Sequence, residues 1–265
     1  HAVHPSYVIR NSRKAFKASE MSRFYYDLHI HSCLSPCADN DMTPGNIAGM
    51  ATLAGLDIAA LTDHNSVANC PAFFSAAAAY GIVPIAGMEL TTAEDIHVVC
   101  LFETLDGAIS FDRLIEPRRI KIDNRPDIFG EQIIIGDDDE PKDYVKHLLI
   151  NAVSIGIDEV PGLVTSCGGV CYPAHVDRSS NGIIAVLGTF PDINEFLCAE
   201  YHDEANIEKY KSLHPALKSR KSIVSSDAHR LCDIRDAESC FELDADRGDP
   251  DSVRRALFKF FRGDL

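Results

Sequence analysis

Short apolar runs alternate along this chain with segments of helical spacing. Phe24, Tyr25, Tyr26, Leu28 and Ile30 lead into His31 and predict a strand buried on both faces. Thr43 and Pro44 then open a helix, as cap and first helical residue, and Gly55 closes it after Ile47, Met50, Ala51 and Leu53. Residues 58–62 read as a second buried strand. Ser66 caps a helix over 67–80 that Gly81 stops. A third strand follows over 82–86, and a fourth over 95–102 with His97 inside it. The rhythm breaks over 104–160. That stretch predicts helices over 111–119, 144–154 and 158–166, and a hairpin of 131–135 with 142–145 around an acidic, solvated turn at 136–141. Strands resume over 169–175, 196–201, 221–225 and 239–243. Val253, Ala256, Leu257, Phe260 and Phe261 place a closing amphipathic helix over 251–261.

Continuous apolar strands separated by helices predict an α/β fold with a largely parallel sheet covered by helices. The boundaries that follow are an N-terminal arm over 1–22 and one domain over 23–265, interrupted by an insertion at 104–160.

Composition narrows the classes. The net charge of −15 repels polyanions and argues against a general nucleic-acid groove. No apolar run approaches the length of a membrane span. The basic start (Arg10, Arg13, Lys14, Lys17) lacks the apolar region of a signal peptide, and the nine cysteines are an odd number, so reduced thiols in a cytoplasm are expected. The Cys33/Cys37 and Cys167/Cys171 spacings read as small apolar fillers rather than metal or redox pairs.

The chemistry lies where strands end, which is where parallel α/β folds build sites. His29 and His31 are two apart, so in a strand they aim to one side. Collected with Asp39, His64, Glu89, His97, His175, Asp227 and His229, they make six imidazoles and three carboxylates. Such donors suit Zn, Mn or Fe. Nine are too many for one ion and fit two or three divalent cations, with Glu89 or Asp227 bridging. Asp63 precedes a ligand and is expected to orient an imidazole by hydrogen bond. Arg178, with Tyr172, Ser179 and Asn181, flanks the His175 strand end as a candidate for substrate phosphate; Arg230 is an equal one.

Four segments in order carry a family resemblance: Asp27-Leu28-His29-Ile30-His31, Leu61-Thr62-Asp63-His64, Pro173-Ala174-His175 and Ser226-Asp227-Ala228-His229, with Gly87-Met88-Glu89 and Ile96-His97 between them. The chain resembles the PHP (polymerase and histidinol phosphatase) superfamily of metal-dependent phosphoesterases over about residues 24–102 and 168–230. The resemblance implies a distorted (β/α)7 TIM-like barrel and a trinuclear metal site. The family's Ser-Asp-Gly, two residues before Thr-Pro, selects Asp39 here, but Asn40 stands in the glycine's place and leaves Asp41 as a rival.

The implied chemistry is attack on phosphorus by a water activated between metals, with the leaving group's proton coming from His229, Asp63 or a second water, and with Arg178 assisting. The expected substrate is a small phosphate mono- or diester. The alternatives are a nuclease or nucleotide bisphosphate phosphatase acting on short RNA or nucleotides, and a non-catalytic, metal-stabilised module.

Overall fold

The computed structural model describes residues 21–263. The expected N-terminal arm therefore lies, as far as residue 20, outside the described residues. In chain order the elements are β1 (Ser22–Ile30), α1 (Pro44–Leu53), β2 (Ile58–Leu61), α2 (Cys70–Tyr80), β3 (Val83–Thr91), β4 (His97–Phe102), α3 (Leu105–Ile115), α4 (Pro126–Phe129), β5 (Ile133–Ile135) and β6 (Pro141–Tyr144). They continue with α5 (Val160–Ser166), β7 (Gly169–Pro173), α6 (Ile183–Leu187), β8 (Cys198–Tyr201), α7 (Ile207–Leu213), β9 (Lys221–Val224), β10 (Cys240–Leu243) and α8 (Pro250–Arg262).

Six strands form one sheet in the order β10-β1-β2-β3-β4-β7, and β8 and β9 form a parallel pair. The pair closes the curl between the end of β7 and the end of β1. Val176 N donates to Glu200 O at 2.8 Å on one side; on the other Ile30 and Ala228 bridge in parallel and His31 N donates to Ala228 O at 2.9 Å. The result is a distorted barrel. Alternate residues of its strands divide two cores. Phe24, Tyr26, Leu28, Ile85, Val99, Leu101, Tyr172 and Ile223 fill the barrel, and Val253, Leu257, Phe258 and Phe261 of α8 plug its floor. The opposite residues, such as Ala59, Leu61, Ala86 and Val98, pack under α1, α2 and α3.

Gly87 is a required glycine. A Cβ there would stand 2.7 Å from Thr62 Cγ2, 2.9 Å from Leu101 Cδ2 and 3.0 Å from Cys100 O.

Several elements depart from their expected form. β4 runs antiparallel to both β3 and β7, because a tight turn closed by Asp95 N to Thr92 O, rather than a helix, joins it to β3. α2 begins at Cys70, where Pro71 fits the first turn, and Ser66 instead accepts from Ala68 N at 3.3 Å. The helix expected over 111–119 starts at Leu105 behind a Thr104 cap, and α5 covers only part of 158–166. No helix forms over 145–154. Its amides bond sideways instead: Val145 N to Gln132 O, Leu148 N to Ile122 O and Val153 N to Thr91 O.

The hairpin of β5 and β6 stands as expected. Its acidic turn is more than solvated, since Asp139 accepts from Thr43 Oγ1 and Gly45 N, each at 2.8 Å, at the N-terminus of α1. Among the described residues no helix is long and apolar enough to cross a membrane.

Candidate metal centre

Strict alternation along β1 would send Ile30 into the barrel after Phe24, Tyr26 and Leu28. The register against β2 shifts between Asp27 and Ile30, so Ile30 joins the outer core and both His29 and His31 turn inward above the floor. Glu89 lies on the inward row of β3. His97 reaches the same level because β4 is reversed, so its first residue lies at the end where the parallel strands finish. His175 and Asp227 take positive φ angles of 29° and 55°, uncommon for residues with a Cβ and typical of strained functional sites.

Glu89 is the hub. Its Oε1 lies 2.8 Å from His97 Nδ1, 3.1 Å from His175 Nε2 and 3.3 Å from His29 Nε2; its Oε2 lies 3.1 Å from His64 Nδ1 and 3.3 Å from His31 Nε2. Asp227 Oδ1 stands 3.1 Å from His31 Nε2 and 3.4 Å from His29 Nε2, and those two nitrogens are 3.2 Å apart. The donor sets that converge are His29/His31/Glu89/Asp227, His31/His64/His229 and His64/Glu89/His97. In the first set the contacts given above, 3.1–3.4 Å, are close to those of a coordination shell. Donors about 2.0–2.1 Å from a tetrahedral cation lie about 3.3–3.4 Å from one another.

The electrostatics agree. His64 Nδ1, His97 Nδ1, Glu89 Oε2 and Asp227 Oδ1 are buried here without a hydrogen-bond partner, a costly state for a polar atom. Burial alone would raise the Glu89 and Asp227 carboxyls, yet His97, His29 and His64 hold the first well below its usual range, and His29 and His31 do so for the second. Burial disfavours charge on His29 and His31 too. Glu200, Asp227 and Glu89 nonetheless push His29 well up, and bonds to Asp227 and Glu89 push His31 to about 9. Burial and the neighbouring rings drive His64 well down and His229 to about 4. The cluster thus draws positive charge to its centre, and divalent cations fit that demand while leaving the rings neutral to ligate.

Two ligand tautomers are set from behind. Glu200 Oε1 accepts from His29 Nδ1 at 2.8 Å and from His175 N at 3.1 Å. Ser35 Oγ donates to Asp63 Oδ1 at 2.7 Å, so it accepts from His31 Nδ1 at 2.9 Å. In both rings Nε2 is left with its lone pair toward the centre. Asp63 does orient an imidazole, through Ser35. Its oxygens are occupied by Ser32 N, Ser32 Oγ and Ser35 Oγ at 2.7 Å each, so it anchors the loop after β1 instead of facing the cleft.

Other expected residues stand apart. The Asp39 carboxylate is more than half exposed, 3.8 Å from Arg230 Nε, although its amide donates to His229 O at 3.0 Å at the edge of the cluster. The Asp41 side chain is exposed. Arg178 donates through Nη1 to Asp227 Oδ2, the oxygen facing away from the histidines. Tyr172 is buried in the barrel rather than at its mouth, and Asn181 is engaged with the backbone of Asp95 and His97. Glu200 was missed. The available signal was a lone carboxylate inside the apolar run Cys198-Ala199-Glu200-Tyr201, next to the strand ends that carry ligands.

A family model described as the PHP domain matches residues 27–212. The chain belongs to the PHP domain family. Over 91 residues this PHP chain is 35% identical to an error-prone DNA polymerase of Symbiobacterium thermophilum, a stretch that covers 34% of this chain and 8% of the polymerase. It shares its fold with the lesion-specific endonuclease Q of Pyrococcus furiosus at a TM-score of 0.61 and 16% identity, over 91% of this chain and 56% of that one. It also matches a candidate metal-dependent phosphoesterase from Bifidobacterium adolescentis, at a TM-score of 0.57 and 18% identity, over 90% and 97% of the two chains. The PHP chain therefore spans about half the length of endonuclease Q and a small part of the polymerase. The family match and the two shared folds agree with the distorted barrel that the resemblance implies.

Proposed function

We propose that this chain hydrolyses phosphoric esters at two or three divalent cations, Zn, Mn or Fe, held at the barrel mouth. The observation that carries the reading is the convergence of His29, His31, Glu89 and Asp227: the two imidazole Nε2 atoms stand 3.2 Å apart and each lies 3.1–3.4 Å from an oxygen of Glu89 and of Asp227. Those four would hold one ion; His97 and His175, which share Glu89 Oε1, a second; His64 and His229, beside Asp39, a third. Bound cations would polarise the phosphoryl oxygens and lower the pKa of water.

The chain's own groups do the rest. Glu200 and Ser35 keep His29 and His31 in the ligating tautomer. Asp227 O accepts from His229 Nδ1 at 2.8 Å and leaves that ring's Nε2 with its lone pair free to ligate. Arg178, partly exposed on the cleft wall, offers its guanidinium to phosphoryl oxygens.

The substrate we propose is a small phosphate mono- or diester. A cleft of about 430 Å³ beside the cluster is lined by Arg178, His202, Asp227, His229 and Arg235, a size for a small ligand. The net charge of −15 disfavours a long polyanion. The fold shared with a lesion-specific endonuclease keeps short RNA or nucleotides as the second reading. We further propose a cytoplasmic location and the insertion boundaries 104–160.

The test is metal content after purification without added metal, followed by phosphate release from phenyl phosphate, a mononucleotide and a short oligoribonucleotide. Bound metal with release from the small esters supports the reading. Shortening of the oligoribonucleotide alone moves it to the nuclease, and full occupancy without turnover on any ester leaves a metal-stabilised module.

A further inference from the structure

His202 belongs to no ligand set and follows β8 on the wall of the cleft. Its backbone is clamped. Asp177 Oδ1 accepts from His202 N at 2.8 Å, and Arg235 Nη1 donates to His202 O at 3.4 Å. Its ring is clamped too, with Nδ1 3.1 Å from Arg178 Nη2. A guanidinium has donors and no acceptor, so Nδ1 must be the acceptor in this bond. The ring is therefore neutral and carries its proton on Nε2. Burial and the Arg178 charge, which push the ring's pKa down against the opposing carboxylates of Asp177 and Asp227, act in the same direction.

Arg178 thus spans from the cluster to His202, with Nη1 on Asp227 and Nη2 on the ring. The groups on the wall follow an order: cations' site, Asp227, Arg178, His202. On the phosphoesterase reading, a bound phosphoryl group would place its charged oxygens nearest the cluster and Arg178. With the attacking water on the cluster side, in-line displacement would put the leaving oxygen on the far side of phosphorus, outward along that wall.

We propose that His202 Nε2–H is the hydrogen-bond donor to the leaving-group oxygen of the ester, and that Arg178 is the positioning residue that fixes the donor tautomer. This rests on the phosphoesterase reading above. As the P–O bond to the leaving group breaks and water oxygen joins phosphorus, the proton stays on His202 and stabilises the developing negative charge. Solvent supplies the proton the leaving group finally takes. A neutral imidazole is suited to this role because it donates without having to be charged.

The test compares two esters with unequal need of help, p-nitrophenyl phosphate, whose leaving group departs readily, and phenyl phosphate, whose leaving group does not. His202→Phe should keep the metal content and lower kcat/KM on phenyl phosphate by about a hundredfold or more, with a much smaller loss on p-nitrophenyl phosphate. His202→Gln, which restores an N–H donor, should recover part of the phenyl phosphate rate. Equal losses on both esters, or none, overturn the proposal.

Where the wild type turns over neither aryl ester, the phosphoesterase reading is decided separately, by the mononucleotide and the oligoribonucleotide above. The proposal is then judged by long-range ¹⁵N–¹H spectra of the His202 ring in the metal-loaded protein titrated with inorganic phosphate. An Nε2–H tautomer whose resonance moves with phosphate, and whose tautomer is lost in Arg178→Gln, upholds it. An Nδ1–H or charged ring, or no response to phosphate, overturns it.

Discussion

Glu200→Gln isolates the support behind the first metal ligand. Glu200 Oε1 is the partner of His29 Nδ1 at 2.8 Å and of His175 N at 3.1 Å, and the carboxylate is buried. Glutamine keeps the shape and one acceptor oxygen but loses the charge. A hydrogen bond to a charged group contributes about 1.5–3 kcal/mol net and a neutral one about 0.5–1.5 kcal/mol. The substitution therefore removes about 1–2 kcal/mol of support, a fall of about 5- to 30-fold in cation affinity, which overlaps the range of about 10- to 100-fold typical of changes behind metal-bound histidines. The affinity is read by competition with a chromophoric chelator. Stability without metal should fall too. Glu200 is the first of the carboxylates that push the buried His29 ring well up, and removing one partner of a buried pair leaves the other uncompensated, so the unfolding midpoint of the chelated protein should drop. Unchanged cation affinity, or an unmoved midpoint in the chelated protein, would refute the reasoning.

Three further outcomes follow from the geometry. His31→Ala should lose bound metal and activity together while the far-ultraviolet circular dichroism persists; full activity in that variant removes His31 from the site. Gly87→Ala should cost about 1–3 kcal/mol in urea unfolding, because its methyl meets Thr62 Cγ2, Leu101 Cδ2 and Cys100 O at 3.0 Å or less, and an unmoved midpoint would contradict the packing described. Asp139→Gly keeps the left-handed backbone (φ 60°) but removes the acceptor at the N-terminus of α1, so the Gly45 amide should exchange faster with solvent and stability should fall by about 1 kcal/mol. Equal Gly45 exchange in variant and parent would show that the hairpin does not hold that helix.

Much of this architecture was legible because local signals agree with it. Thr43-Pro44 and Gly55 bound α1 as their chemistry requires, and Gly81 ends α2 at φ 72°. Eight of the nine ligand candidates converge because a strand end is a fixed place in an α/β barrel. What escaped was non-local. Residues 144–154 have helical spacing but spend their amides on Gln132, Ile122 and Thr91, contacts that no window of sequence contains. The direction of β4 depends on a tight turn at Asp95. Counting from Thr43-Pro44 selects Asp39, but it fixes a position in the loop without fixing where the carboxylate turns.

The reversal of β4 and the shift in β1 belong to one physical argument. A barrel whose inward rows held only apolar residues would close as a packed core, like the floor above α8. Here the inward rows change character at a single level, above Leu28, Ile85 and Val99, and five carboxylates, Asp27, Asp63, Glu89, Glu200 and Asp227, are buried at or behind that level. Asp27 and Asp63 are pushed up by burial and are held by Ser226 N and by the Ser32 and Ser35 groups, so they stiffen loops. Glu200 faces His29. That leaves Glu89 and Asp227 with six imidazoles and the guanidinium of Arg178 around them. An apolar replacement would satisfy the fold at lower cost. The shifted register of β1, the reversed β4 and the two strained backbones at His175 and Asp227 all serve to gather this charge at one point.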